Sequence, residues 1–142
     1  MSDAEDPVLR VLQGYKAAVF AKDVDAFVAL YDPDVRVFDM WGEWSHEGIA
    51  AWRAMASGWF DSLGTDRVRV EFDALNVELA ADLAMGQAYL RFAAIAPDDT
   101  PLRAMDNRIT LVARKRGAQW KIVHQHTSAP ADFRNGKVMF SR

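Results

Sequence analysis

From Arg67 to Pro130 the chain shows no helical period, only runs in which apolar and polar side chains alternate, and this limits its fold more than any other feature. Four runs follow one another: Arg67 to Leu79, Leu83 to Ile95, Leu102 to Lys115, and a closing run from Trp120 that stops at Pro130. The breaks between them are short: Ala80-Ala81-Asp82, a loop from Pro97 to Pro101, and a basic tip at Arg114-Lys115-Arg116-Gly117. Short breaks join antiparallel neighbours, so this half predicts a meander. Helices come before it, which gives an α+β arrangement: three N-terminal helices packed on one face of a curved, mostly antiparallel sheet. The other face is left to solvent or to a partner.

The first helix is predicted from Asp6-Pro7, with Val8, Val11, Leu12, Tyr15, Ala18 and Val19 at helical spacing up to Lys22-Asp23. A second, short helix runs from a cap at Asp23 through Phe27, Val28 and Tyr31 and breaks at Asp32-Pro33-Asp34. Val35 to Met40 then alternates as a strand that places Val35, Val37 and Asp39 on one face. After the loop Trp41 to Gly48, a third helix carries Ile49, Trp52, Met55, Ala56, Trp59, Phe60 and Leu63 along one stripe. Trp44, Trp52 and Trp59 make a large aromatic body that serves either as core or as a ligand-stacking wall. The tail from Ala129 carries Phe133, Val138, Met139 and Phe140 around an Asn-Gly turn, to pack back on the sheet or to reach across a dimer.

At 142 residues the chain is expected to form one domain, 1–142, with 129–142 as a C-terminal tail. Hydrophobic residues at 51% and charged residues at 26% exclude a fibre or a long disordered tract. A net charge of −3 with scattered cations offers no footprint for nucleic acid. The absence of cysteine removes disulfides, thiolate nucleophiles and thiol metal sites. The acidic first residues are unlike a signal peptide and no apolar run reaches membrane-spanning length, so the expected setting is cytoplasmic, with no membrane partner.

Tyr15, Asp39 and Asp106 are three polar side chains on three elements at positions where the pattern predicts an interior. A carboxyl in an apolar cavity tends towards a raised pKa, which makes it a base near neutral pH or a neutral hydrogen-bond donor. A buried tyrosine hydroxyl needs a partner and can donate to an oxyanion. Together the three can abstract a proton beside a carbonyl and hold the enolate. The inert alternative pairs Asp106 with Arg108, two apart on one strand face, and Tyr15 with Asp39 as core hydrogen bonds. His124 and His126 share a strand face, but with His46 in a loop and no acid following on that face, no metal site is expected.

Tyr15-Lys16-Ala17-Ala18, the stretch Lys22 to Tyr31 and Val35-Arg36-Val37-Phe38-Asp39 resemble the opening of a ketosteroid isomerase. Arg108-Ile109-Thr110 and the run Trp120-Lys121-Ile122-Val123-His124-Gln125-His126-Thr127-Ser128-Ala129-Pro130 resemble the SnoaL-like group. The closing run is also similar to the association domain of calcium/calmodulin-dependent kinase. The chain is thus similar to the nuclear-transport-factor-2-like (NTF2-like) superfamily in its SnoaL-like and ketosteroid-isomerase-like branch. The resemblance implies a cone in which a strongly bent sheet wraps a pocket beneath the helices, and homodimers through the outer sheet face. It also implies Tyr15 as oxyanion tyrosine, Asp39 as base and Asp106 as protonated oxyanion acid, a division of labour between one ionised and one neutral carboxyl.

The sequence departs from the isomerase in placing Arg108 beside Asp106, which favours an ionised carboxylate. Arg108, Thr110, Gln125 and Thr127, if their parity faces inward, suit a smaller or anionic ligand better than a steroid. Positions 123, 125 and 127 supply no second acid for an epoxide-hydrolase-like arrangement. The expected function is therefore a small-molecule pocket protein, an isomerase, cyclase or lyase acting by proton abstraction beside a carbonyl, with no cofactor. Its expected catalytic residues are Asp39, Tyr15 and Asp106, and its ligand contacts Arg108, Gln125, Thr127, Trp44 and Trp59. The alternative is a non-catalytic metabolite-binding or subunit-association module.

Overall fold

A computed structural model describes residues 6–142. Helix α1 (Pro7–Ala21) starts where the Asp6 carboxylate accepts from the Val8 and Leu9 amides, each at 3.0 Å, and ends at Lys22, whose φ of 53° is left-handed. Asp23 caps α2 (Val24–Val28) in the same way. The chain then enters β1 (Tyr31–Phe38), β2 (His46–Glu47), α3 (Ile49–Ser62), β3 (Arg67–Leu79), β4 (Leu83–Ile95), β5 (Pro101–Arg116) and β6 (Gln119–Ser128).

The strands form one six-stranded sheet in the order β2-β1-β6-β5-β4-β3. The expected meander accounts for β3 to β6, all antiparallel. β1, in contrast, lies parallel to β6, and β2 is a short hairpin return on β1 that the alternation did not announce. Three helices are present, but they are not all N-terminal to the sheet: β1 and β2 intervene before α3. The second helix is also shorter than its periodicity suggested, because Tyr31 is drawn into β1, where it is paired with Ile122.

The core lies between the helices and one sheet face. Val8, Val11, Leu12, Tyr15 and Val19 of α1 meet Val68 and Val70 of β3, Leu90 of β4, Ile109 and Leu111 of β5 and Ile122 of β6. α1 approaches β4 so closely that a Cβ on Gly86 would stand 2.3 Å from Val8 Cγ1, so glycine is required there. Among the register shifts of the sheet, two bulges bear on its inward rows: one on β3 around Ala74, whose φ is 54°, and one on β6 at Val123. Each inserts a residue, increases the local twist and moves the inward row by one position. On β6 the buried side chains are therefore Ile122 before the bulge and Gln125 and Thr127 after it.

Candidate functional site

The inward row of β1 runs Val35, Val37, and then Asp39 just past the end of the strand, as the alternation predicts. Next to it on β6, the Thr127 hydroxyl donates to Asp39 Oδ1 at 3.0 Å. That bond fixes the carboxylate while Asp39 Oδ2 has no partner among the described residues. Tyr15 reaches the same place from the middle of α1, its ring held against Phe27 at 5.3 Å and Phe92 at 6.4 Å. Its hydroxyl makes no hydrogen bond to the described residues. Burial pushes the Tyr15 phenol well above the ordinary tyrosine value, and Tyr31 and Asp39 push it the same way, so it stays a neutral donor.

Tyr15, Asp39 and Thr127 all line a cavity of about 670 Å³. Its walls are largely apolar: Trp52, Met55, Trp59 and Leu63 from α3 and its end, Val68 from β3, Phe92 and Ala94 from β4, and Met105 from β5. Trp41, Glu43, Arg103 and Phe140 stand at its mouth, where Trp41 is 50% and Phe140 41% exposed. A hollow of this volume lies in the range of small-molecule sites, and it has a carboxylate and a phenol among its few polar groups.

Two expected catalytic residues, Tyr15 and Asp39, are thus brought together, and Trp59 and Thr127 join them. Asp106 is not: it lies on the opposite face of the sheet, where its carboxylate accepts from Arg91 at 3.1 Å and from the Arg142 main-chain N–H at 3.0 Å. The Arg142 amide first, then Arg91, hold the Asp106 carboxyl below the usual carboxylate range, the reverse of a protonated oxyanion donor. Arg108 also points outward and donates to Ser128 Oγ at 2.9 Å rather than pairing with Asp106. The inward row of β5 is the other parity, Asn107, Ile109, Leu111 and Ala113, all buried. Facing two adjacent charges into an apolar core costs far more than facing one amide there.

Gln125 is inward but engaged elsewhere: it is 1% exposed and accepts the Tyr31 hydroxyl at 2.7 Å, away from the cavity lining. Burial raises the Tyr31 phenol as well, against smaller lowering effects of Trp52 and Gln125. The Trp52 N–H comes near that oxygen without reaching hydrogen-bond geometry. Trp44 is 96% exposed and lines nothing, because the loop before β2 turns its side chain to solvent. His124 and His126 face outward around Phe38, with ring centroids 5.0 and 5.6 Å from it, and His124 Nδ1 lies 2.8 Å from the Arg36 carbonyl oxygen.

Residues that sequence reasoning missed also line the cavity. Asn107 takes the place on β5 expected of Asp106; its Nδ2 meets only Met40 Sδ at 3.4 Å, and its buried Oδ1 has no partner among the described residues. His46 lines the cavity from β2, its ring 5.2 Å from that of Trp52. Both carried a signal: Asn107 interrupts the otherwise apolar row Met105, Ile109, Leu111 and Ala113 of β5, and His46 precedes a glycine-started helix at the end of an aromatic loop.

The sequence pattern of the SnoaL-like domain family matches residues 8–132. The chain belongs to this family. An NTF2-like protein of unknown function from Pseudomonas putida is similar in structure, with a TM-score of 0.82 and 28% identity over 100% of this chain and 98% of that one. A putative scytalone dehydratase from Novosphingobium aromaticivorans is similar at a TM-score of 0.74 and 12% identity, covering 86% of this chain and 80% of that one. A putative calcium/calmodulin-dependent protein kinase II association domain from Xanthomonas campestris is similar at a TM-score of 0.73 and 18% identity, covering 87% and 85%. No curated protein sequence matches this chain. The SnoaL-like chain therefore sits in the NTF2-like superfamily, in the SnoaL and ketosteroid-isomerase-like branch, on an α+β fold with a curved six-stranded sheet.

Proposed function

We propose that this SnoaL-like protein binds a flat, mostly apolar carbonyl compound and moves a proton beside its carbonyl, as an isomerase, cyclase or lyase. The observation that carries this is the convergence of the Asp39 carboxylate and the Tyr15 hydroxyl, the latter without a partner among the described residues, on one apolar cavity. Asp39 Oδ2 is the base: it takes the proton on carbon, the electron pair of the broken C–H bond forms the C=C bond of the enolate, and the π pair of the carbonyl moves onto its oxygen. The Tyr15 hydroxyl donates to the oxygen as it becomes negative, and its raised pKa keeps that donor protonated. Asn107, in place of Asp106, supplies a neutral amide beside the reacting group. His46, which also lines the cavity, is a further group that can return a proton, to carbon for isomerisation or to a departing hydroxyl for elimination.

A thermal-shift screen of cyclic and aromatic ketones identifies ligands, and each hit is then incubated in D2O and followed by proton NMR. The proposal expects loss of the signal beside the carbonyl with wild type, slowing by about 100-fold or more in Asp39→Asn, and an intermediate loss in Tyr15→Phe. Ketones that bind without exchange would instead make the protein a metabolite-binding module. A homodimer through the outer sheet face and a cytoplasmic setting belong to the same proposal. In support, the outer face carries Tyr89 and Leu102, 41% and 46% exposed, and among the described residues no helix is long and apolar enough to cross a membrane.

A further inference from the structure

Asp106, expected in the cavity, instead anchors the C-terminal segment. β6 ends opposite Arg108, so β5 between Pro101 and Asn107 has no strand on that edge. The tail fills the gap. After a turn closed by the Ala131 and Val138 bridge, Met139 donates to the Pro130 carbonyl at 2.8 Å, and the Asp106 N–H donates to the Phe140 carbonyl at 2.7 Å. From there the segment has contacts on both faces of the sheet. On the cavity side the Phe140 ring stacks on Trp41, centroids 5.5 Å apart and planes 13° from parallel, and both rings line the cavity. On the outer side Arg142 donates from its main chain to Asp106 Oδ2 at 3.0 Å and from its guanidinium to both Asp73 oxygens at 3.2 and 2.9 Å. The same guanidinium lies 4.0 Å over the Tyr89 ring.

We propose that Phe140 is a wall of the cavity mouth held from the far side of the sheet, so that the Arg142 contacts with Asp73, Asp106 and Tyr89 set how fast ligands enter and leave. The wall and its anchor are on opposite faces, and Ser141, the single residue between them, is all the slack that links the two. The anchors come from β3, β4 and β5, so the latch reads the spacing of three strands at once. This goes beyond the proton-transfer reading and holds equally for a protein that only binds.

The test uses the whole chain and the dye 8-anilinonaphthalene-1-sulfonate, followed by stopped-flow fluorescence. The cavity component is the part of the signal lost in Met55→Glu, which puts a negative charge on the wall against an anionic dye. For that component the proposal expects entry and exit rates to rise together by about threefold or more in Arg142→Ala and in Asp73→Asn, with the equilibrium constant nearly unchanged. Phe140→Ala should raise both rates further. Arg142 and Asp73 are exposed, so neither variant puts folding at stake, and circular dichroism melts verify this. Unchanged rates in the two latch variants, or in Phe140→Ala, would overturn the proposal. So would a rate change accompanied by a change in subunit number by light scattering.

Discussion

The Tyr31 hydroxyl and the Gln125 amide are two polar groups deep in an apolar interior, and each is satisfied chiefly by the other at 2.7 Å. Tyr31→Phe keeps the ring packed against Phe27 and Trp52 but leaves Gln125 Oε1 without its donor. An unpaired buried acceptor costs about 1–3 kcal/mol. Urea unfolding should show that loss with an unchanged slope; a variant as stable as wild type would mean that Gln125 finds another donor. At the cavity the same logic runs in the other direction, since the Tyr15 hydroxyl is left free where a ligand can use it. Asp106 and Asn107 show how much one position matters: they adjoin in sequence and face opposite sides of the sheet. The sequence row carrying Asp106 also carried Arg108 and Thr110, and that run of polar side chains was the mark of the solvent face. The resemblance to ketosteroid isomerase favoured the acid, whereas the cost of burying charge favours the amide.

At the scale of elements, strands β3 to β6 were legible nearly to the residue, because alternation and turn chemistry are local. The bulge at Val123 was not, because the extra residue is visible only against the partner strand, where Val112 pairs with His124 and Ala113 with Ile122. Gln125 and Thr127 face inward as expected, yet Ile122 does too. The tail is the element most open to perturbation. Its outer contacts are solvent-exposed pairs, with Arg142 and Asp73 side chains 53% and 63% exposed, and each such pair contributes about 0.2–1 kcal/mol. The groups around Asp106 are Arg91 of β4, Arg142 of the tail, and Asp73 and Glu71 of β3. Because the folded Asp106 carboxyl titrates below its unfolded value, its contribution is complete above roughly pH 4 and lost as pH falls further. The Arg142 amide resonance should therefore hold steady from pH 7 to 5 and move only below about pH 4; a midpoint near pH 5 or above would contradict the anchoring.

For the whole molecule, the proposed dimer is checked by light scattering on the full chain at micromolar concentration, where twice the 15.9 kDa chain mass is expected. A monomer at that concentration would leave the outer face to solvent. Its alternation looked doubly apolar because β5 has leucine, alanine and valine at its ends; between them the exposed row is Arg108 and Thr110 beside half-buried Asp106. The parallel pairing of β1 with β6 has a different kind of consequence. Tyr31 lies beside Ile122, so the sheet closes across most of the chain's length. At about 5–20 residues per second of synthesis, β1 waits roughly 5–18 s for its partner. Asp39 meets Thr127 across the same seam, so on a chain still being made the candidate base cannot gain its hydrogen bond until β6 has been synthesised. The nascent chain therefore carries a formed meander edge and an unclosed cleft together, and the interval before closure is when it is most exposed to mispairing.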